Sequence, residues 1–536
     1  MTKRKKPIGL NDPLYHPDHA RPRTRREFIA QGFLSGAATV VGGSMFSLLG
    51  GPRRARADLS MDVAEAYDAL CAAAGGGKIP FICFDLAGGA NIAGSNVLIG
   101  GAGGQEDFLS TAGYSKQGLP GDRTPANSQT NFINQELGLK FHSQSAMLSG
   151  ILEKVSVGNR ANINGAVIPA RSQNDTANNP HNPMYAIKLA GAGGSVVDLI
   201  GSRNSDSGGN SMAPADFMAA VGAEARPTKV DRPSDVVGLV DTGSNESSPL
   251  RPTDTVAAME SMYRLSDQKL GVVSTGLTAA GADAEVERLV RCAYLKSTWL
   301  ADRFGGDNTV DPATDANIVG PTGIFSAAEF ENDGEFRKTA SVMKMVVPPN
   351  GLQASAGAGT ITMGGYDYHT GDRETGERRD LRVGRCIGAC LEYASIMATP
   401  VMIYVCSDGS VFSNGMIDNS ADGAGKGVWT GDNQQTAASF FLVYNPLGPP
   451  TLRGGTPEQQ FRHQQLGYMR ASGDVETAST PAANNVNLLV QTVLLNYMAL
   501  HGEEGDFTGL LQPYGIPNGL GDATQRDSLI AFQSLI

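Results

Sequence analysis

Short apolar runs bounded by turn-forming residues recur along this chain, and between them lie longer stretches in which apolar positions return every three or four residues. The runs 79–86, 196–200, 401–406 and 440–444 read as buried strands, because a short continuous apolar segment fits a strand covered on both faces. The stretches 62–74, 145–155, 285–304, 377–397 and 487–501 carry amphipathic helical spacing. Strands separated by helices predict a largely parallel sheet with helices on both sides, a three-layer α/β/α domain over residues 58–536.

Residues 202–350 interrupt this rhythm. A Gly/Ser/Asn-rich stretch over 201–211 and linkers near Pro227, Pro233 and Pro249 lead into a mostly helical run ending near Met345. The expectation is a helical insertion or cap within the α/β domain. Ligands of such sheets bind beyond the carboxyl ends of the strands, so chemistry is to be sought at those ends.

The first 57 residues have a different character. Lys3, Arg4, Lys5, Lys6, Arg21 and Arg23 precede the pair Arg25-Arg26, which opens onto an apolar run over 28–49 diluted by Gly32, Gly36, Gly42 and Gly43. Pro52 breaks the run, and Ala55-Arg56-Ala57 offers a small-residue cleavage site. This is the layout of a twin-arginine export signal. It implies the twin-arginine translocase as a partner, a periplasmic or extracytoplasmic location, and no stable membrane span after cleavage at Ala57. An uncleaved anchor is the alternative reading of the same run.

Beyond that signal the chain holds 32 basic and 51 acidic side chains. Such a surface repels nucleic acid and anionic lipid, which excludes both as expected partners. All six cysteines lie in this part, and an even count in an oxidising compartment permits disulfides. Cys83 and Cys406 sit in apolar runs that suit buried thiols, and Cys386 and Cys390 are helical neighbours. Their spacing matches no zinc, iron–sulfur or haem pattern.

Four clusters fall at expected strand ends. Asp85 and Asn91 flank Gly88-Gly89, a turn that brings backbone close to a ligand or metal, or a tight turn with a capping carboxylate. Arg171, Ser172, Asn174, Asp175, Asn178, Asn179 and His181 offer an anion clamp, a nucleophile and a ligand or acid, or a polar loop bonded to itself. In Gly364-Gly365-Tyr366-Asp367-Tyr368-His369, an extended backbone points Asp367 and His369 to one side, as a divalent metal requires; the alternative is a carboxylate holding a structural imidazole. Asp408, ending a strand, and Asp432, preceding the next, complete a metal site or serve as turn residues. His142 and His463 lack acidic neighbours in useful register and read as structural.

In order along the chain, Leu86-Ala87-Gly88-Gly89, Gly138-Leu139-Lys140-Phe141-His142, Ala170-Arg171-Ser172, Gly364-Gly365-Tyr366-Asp367-Tyr368-His369, Ser407-Asp408-Gly409-Ser410 and Gly431-Asp432-Asn433-Gln434 resemble the elements of an exported, twin-arginine-dependent family of unknown function in the alkaline phosphatase and sulfatase superfamily. The resemblance spans most of residues 78–446, and its specific element is Gly-Gly-aromatic-Asp-x-His. It implies an alkaline-phosphatase-like fold and one divalent ion held among Asp85, Asp367, His369, Asp408 and Asp432. It further implies Ser172 as nucleophile, Arg171 as oxyanion clamp, and hydrolysis of a phosphate or sulfate ester. Two departures stand out: Asn433 or Gln434 replaces a family histidine, and the arginine of a Ser-Glu-Phe-Gly-Arg element is missing. They keep open a second reading, a non-catalytic envelope protein serving binding or secretion.

Overall fold

The computed structural model describes residues 59–71, 77–125, 131–173, 179–222, 225–240, 252–272, 282–304, 310–350 and 352–536. Arg25, Arg26 and Ala57 of the export signal therefore lie outside the described residues, as do Asn174, Asp175 and Asn178. Contacts divide the chain into two compact units, one of residues up to Cys71 with Asp241–Gly306, the other of Ala72–Val240 with Asp307–Ile536.

The larger unit is built on β1 (Phe81–Leu86), β2 (Ile133–Leu137), β3 (Leu139–His142), β4 (Ile163–Pro169), β5 (Val197–Gly201), β6 (Thr228–Lys229), β7 (Ala356–Met363), β8 (Val401–Ser407), β9 (Ser410–Asp418), β10 (Lys426–Asn433) and β11 (Ala438–Tyr444). Seven of these form one sheet in the order β4, β11, β8, β1, β7, β5, β6. Only β11 runs against its neighbours, pairing antiparallel with β4 and β8. The mixed α/β class and the largely parallel sheet are thus as the sequence predicts. β2 with β3 and β9 with β10 make separate antiparallel hairpins.

Strand parity explains how the sheet is covered. Phe81 and Cys83 of β1 share a core with Met184 and Ile187 of the helix Met184–Leu189 and with Leu489 and Val493 of the helix Val486–Leu500. On the opposite parity, Gly359 of β7 lies against Val342 and Val346 of the helix Gly334–Val346. Every residue of β1, β7, β8 and β11 is buried, which accounts for continuous apolar runs in place of alternation. Among the described residues no helix is long and apolar enough to cross a membrane.

The smaller unit packs the helices Met61–Leu70, Pro252–Leu270 and Ala282–Phe304 around Val63, Tyr67, Tyr263 and Leu295. Tyr67 stacks on Trp299 with ring centroids 5.4 Å apart, and Cys71 is disulfide-bonded to Cys292. The segment read as one insertion, 202–350, is divided by the folding: 241–306 belongs to this helical unit. The rest stays with the sheet, where it contributes β6 and the covering helix Gly334–Val346. Cys83, Cys386, Cys390 and Cys406 are free and buried.

Candidate metal centre

Three central strands end level. Leu86 of β1 is in register with Met363 of β7 and with Ser407 of β8, so the loops that follow emerge side by side at the carboxyl edge of the sheet. Their backbones are then bonded together. Tyr366 N–H donates to Ala87 O at 3.0 Å, Gly88 N–H donates to Asp408 Oδ1 at 2.8 Å, and Ala90 N–H donates to Ser407 Oγ at 2.7 Å. Gly88 makes this possible: its φ is +125°, and a Cβ there would lie 2.6 Å from the Asp367 nitrogen, closer than any side chain tolerates.

Beyond this turn the chain alternates. Tyr366 and Tyr368 are buried at 1% and 2% exposure, and the Tyr368 hydroxyl accepts the Asn91 N–H at 2.9 Å. The intervening Asp367 and His369 face outward, with side chains 63% and 32% exposed. A two-residue repeat of aromatic anchors thus aims the carboxylate and the imidazole to one side. Residues 371 and 372 then dock on β10: Gly371 N–H donates to Trp429 O at 2.8 Å, and Asp372 forms an antiparallel bridge with Trp429. Counting back along that pairing sets His369 opposite Asp432.

The count matches the side chains. His369 Nδ1 lies 2.6 Å from Asp367 Oδ1 and 2.9 Å from Asp432 Oδ1, and the three residues offer ligand atoms all within 4.8 Å of one another. Neither carboxylate lies along the direction of a hydrogen bond from Nδ1. Two carboxylates gathered at one imidazole nitrogen form a group that could hold a metal ion.

A buried ionic network braces this site. The Arg373 guanidinium sits 4.4 Å above the Trp429 ring and pairs with Glu377 at 2.6 Å; Lys426, which opens β10, pairs with the same carboxylate at 2.7 Å. Two buried cations therefore share one carboxylate across the helix Glu374–Ile396 and β10. Nearby, Asp380 accepts the Asn96 amide at 2.7 Å, and burial pushes its carboxyl up to about 7. None of these residues is distinguished by its sequence neighbours; helical i,i+4 spacing of Arg373 and Glu377 is the one local signal.

The other residues singled out in sequence fall elsewhere along the same edge. Asp85 is fully buried, and its oxygens accept the Ser211 N–H at 2.8 Å, the Ser211 hydroxyl at 2.6 Å and the Asn210 N–H. Burial raises its pKa against those bonds. Asp85 thereby anchors the loop over residues 202–211, and neither it nor Asp408, which accepts Gly88 N–H, belongs to the three-residue group. Arg171 and Ser172 line a separate cavity of about 330 Å³ with Gln434 and the start of the helix Val486–Leu500. Arg171 donates to Asn484 Oδ1 and Gln434 Oε1, each at 2.9 Å, and Ser172 N–H donates to Gln434 O at 3.2 Å. Asn433 is a turn organiser whose Oδ1 accepts the Gln435 and Thr436 amides at 2.7 and 2.8 Å.

Among the described residues, His142, His181 and His463 are bonded to backbone carbonyls. His181 Nδ1 donates to Ser407 O at 2.6 Å, and burial pulls its pKa down to about 4. His142 Nε2 donates to Arg123 O at 2.8 Å, and burial lowers its pKa to about 4 as well. His463 Nδ1 donates to Ile530 O at 2.6 Å. Comparisons of the chain with family models, with curated proteins and with solved structures found no match.

Proposed function

We propose that this chain is an exported α/β protein of alkaline-phosphatase-like fold that holds one divalent cation and acts on phosphate or sulfate esters. The carrying observation is the convergence of Asp367, His369 and Asp432, whose ligand atoms lie within 4.8 Å of one another. Three protein ligands leave positions open for substrate, and a divalent ion there supplies Lewis acidity toward an ester oxygen. Arg171, bonded to two neutral amides, and Ser172 are the groups that bind the non-bridging oxygens and offer a hydroxyl. Gln434, two residues beyond Asp432, ties their loop to the strand that carries the metal ligand. Export follows from the Arg25-Arg26 signal, and Arg25→Lys with Arg26→Lys is expected to leave the protein in the cytoplasm of a fractionated cell.

One observation favours a binding protein without catalysis. Asp367, His369 and Asp432 are not among the residues lining the cavity of Arg171 and Ser172, and of Asn433 and Gln434, one of which stands where the resembled family has histidine, Asn433 is occupied within its turn and Gln434 by Arg171 and Ser172. The two readings part in one experiment. The protein purified without chelator is analysed for metal and assayed on aryl phosphates and aryl sulfates beside the Asp367→Ala, His369→Ala double variant. The hydrolase reading expects about one bound divalent ion, with metal and activity both lost in the variant. Metal without hydrolysis selects the binding protein. Wild-type protein that takes up no divalent ion sinks the metal centre itself.

A further inference from the structure

Two consecutive glycines, Gly364 and Gly365, connect the end of β7 to the anchored Tyr366 and the candidate ligand Asp367. Both are exposed, and a Cβ at Gly364 would meet nothing within 4 Å. Such a pair is the most freely turning link a chain can contain, and here burial does not restrain it. Ligands of a cation have to be held to within about 0.5 Å of their places, so the restraint on this link has to come from outside it.

Arg379, on the helix Glu374–Ile396, touches it at two points. Its Nη1 donates to Gly364 O at 2.8 Å, and its guanidinium fills the space into which a side chain at 365 would project: a Cβ there would lie 2.3 Å from Cζ and Nη1 and 2.5 Å from Nη2. The carbonyl of the same residue accepts the Tyr366 hydroxyl at 3.1 Å. One helical position thus grips the chain on both sides of Gly365, while Gly88 closes on the Asp367 nitrogen. The other arginines of this helix and its cap are used differently. Arg373, Arg378, Arg382 and Arg385 pair with Glu377, Glu374, Asp333 and Glu153 in turn, whereas among the described residues Arg379 pairs with no carboxylate. Water would satisfy an exposed carbonyl equally well, but it would leave the glycine link free to turn; a guanidinium tethered to its own helix does not. We infer that Arg379 is a positioning residue for the candidate metal centre: it acts through Gly364 and Gly365 to hold Asp367 where it meets His369 and Asp432, without touching the cation itself. That role rests on the metal reading proposed above.

The test is titration of the full protein with Mn²⁺, read by electron paramagnetic resonance, beside urea unfolding. Arg379→Met, which keeps most of the side chain's length and removes its donors, is expected to weaken Mn²⁺ binding at least about tenfold, with an unfolding midpoint within about 0.3 M urea of wild type. Arg379→Lys, which still reaches the carbonyl with one donor, should bind at least about threefold more tightly than Arg379→Met. Gly365→Ala drives the guanidinium out. The double variant Gly365→Ala, Arg379→Met should therefore bind no more than about threefold more weakly than the weaker single variant, because both remove the same restraint. Wild-type protein that binds Mn²⁺, beside Arg379→Met that binds it within about twofold, overturns the role of Arg379 and leaves the metal centre standing. Wild-type protein that takes up no Mn²⁺ removes both. Fully multiplicative losses in the double variant, or an affinity loss that comes with a midpoint lowered by more than about 1 M urea, assign Arg379 to the general fold and also overturn its positioning role. Should Arg379→Met lose its native circular dichroism, Arg379→Gln decides by the same criteria.

Discussion

Replacing Gly88 by alanine would strike the joint between the sheet and the candidate metal ligands. At φ +125° an L residue is strained, by about 1–3 kcal/mol. The new Cβ also lies 2.6 Å from the Asp367 nitrogen and 3.0 Å from the Tyr366 carbonyl carbon. Both are backbone atoms in a hydrogen-bonded turn, so they yield only by moving the segment that carries Asp367, by about 0.8 Å to reach ordinary contact, at a further cost of about 1–3 kcal/mol. Gly89 supplies the control: its φ is +114°, but a Cβ there meets nothing nearer than 3.4 Å. Gly89→Ala therefore carries strain without collision. The measurement is urea unfolding followed by Trp429 fluorescence in a Trp299→Phe background, with Mn²⁺ titrated by electron paramagnetic resonance. Gly88→Ala is expected to be less stable than Gly89→Ala by about 1–3 kcal/mol and to bind Mn²⁺ about 10–100-fold more weakly. Equal stabilities within about 0.5 kcal/mol, with equal Mn²⁺ affinity, would refute the claim that the Gly88 turn sets the position of Asp367.

The ionic network behind the site gives two further predictions. Glu377→Gln leaves Arg373 and Lys426 buried without their shared carboxylate and is expected to cost about 3–5 kcal/mol in denaturant titration; a loss below about 1 kcal/mol would show that the two cations find other partners. Asp380 governs a pH effect. Burial pushes its carboxyl up to about 7, above the usual 3.8, so its contribution is full below that lower value and is lost as pH rises toward 7. A rise of that size corresponds to roughly 4 kcal/mol. His142 and His181, held near 4 against a usual 6.5, act with the opposite sign and gain stability over the same range. The wild-type curve is therefore a partial cancellation, and the measurement is the difference from Asp380→Asn, whose stability should rise relative to wild type from pH 4 to 7. A difference that stays flat over that interval would mean that Asp380 titrates normally.

How much of this was legible in the letters depended on whether a signal was local. β1, β5, β8 and β11 announce themselves as apolar runs. β7 does not: Ala356-Gly357-Ala358-Gly359-Thr360-Ile361-Thr362-Met363 is poor in strand-forming side chains, yet it is fully buried between β1 and β5. Its small residues are explained by what lies on them, since Gly359 leaves room for Val342 and Val346 of the covering helix. That reason is tertiary and cannot be seen along the chain. The same division separates the acidic residues. Asp85, Asp367 and Asp408 occupy equivalent places at or just beyond level strand ends, and nothing local distinguishes them. Asp85 is saturated by amides and a hydroxyl from a loop more than a hundred residues away, and Asp408 receives the Gly88 amide. Asp367 alone of the three remains largely exposed, because Tyr366 and Tyr368 turn it outward. Its i,i+2 relation to His369 was readable from an extended backbone. The third ligand was readable only as a residue near a strand, because what selects Asp432 is the pairing of Asp372 with Trp429. The meeting of Asp367, His369 and Asp432 is therefore a consequence of where one loop docks on one hairpin. The integrity of that group should follow the Arg373, Trp429 and Glu377 packing that fixes the docking, even though none of those side chains is proposed to touch the cation.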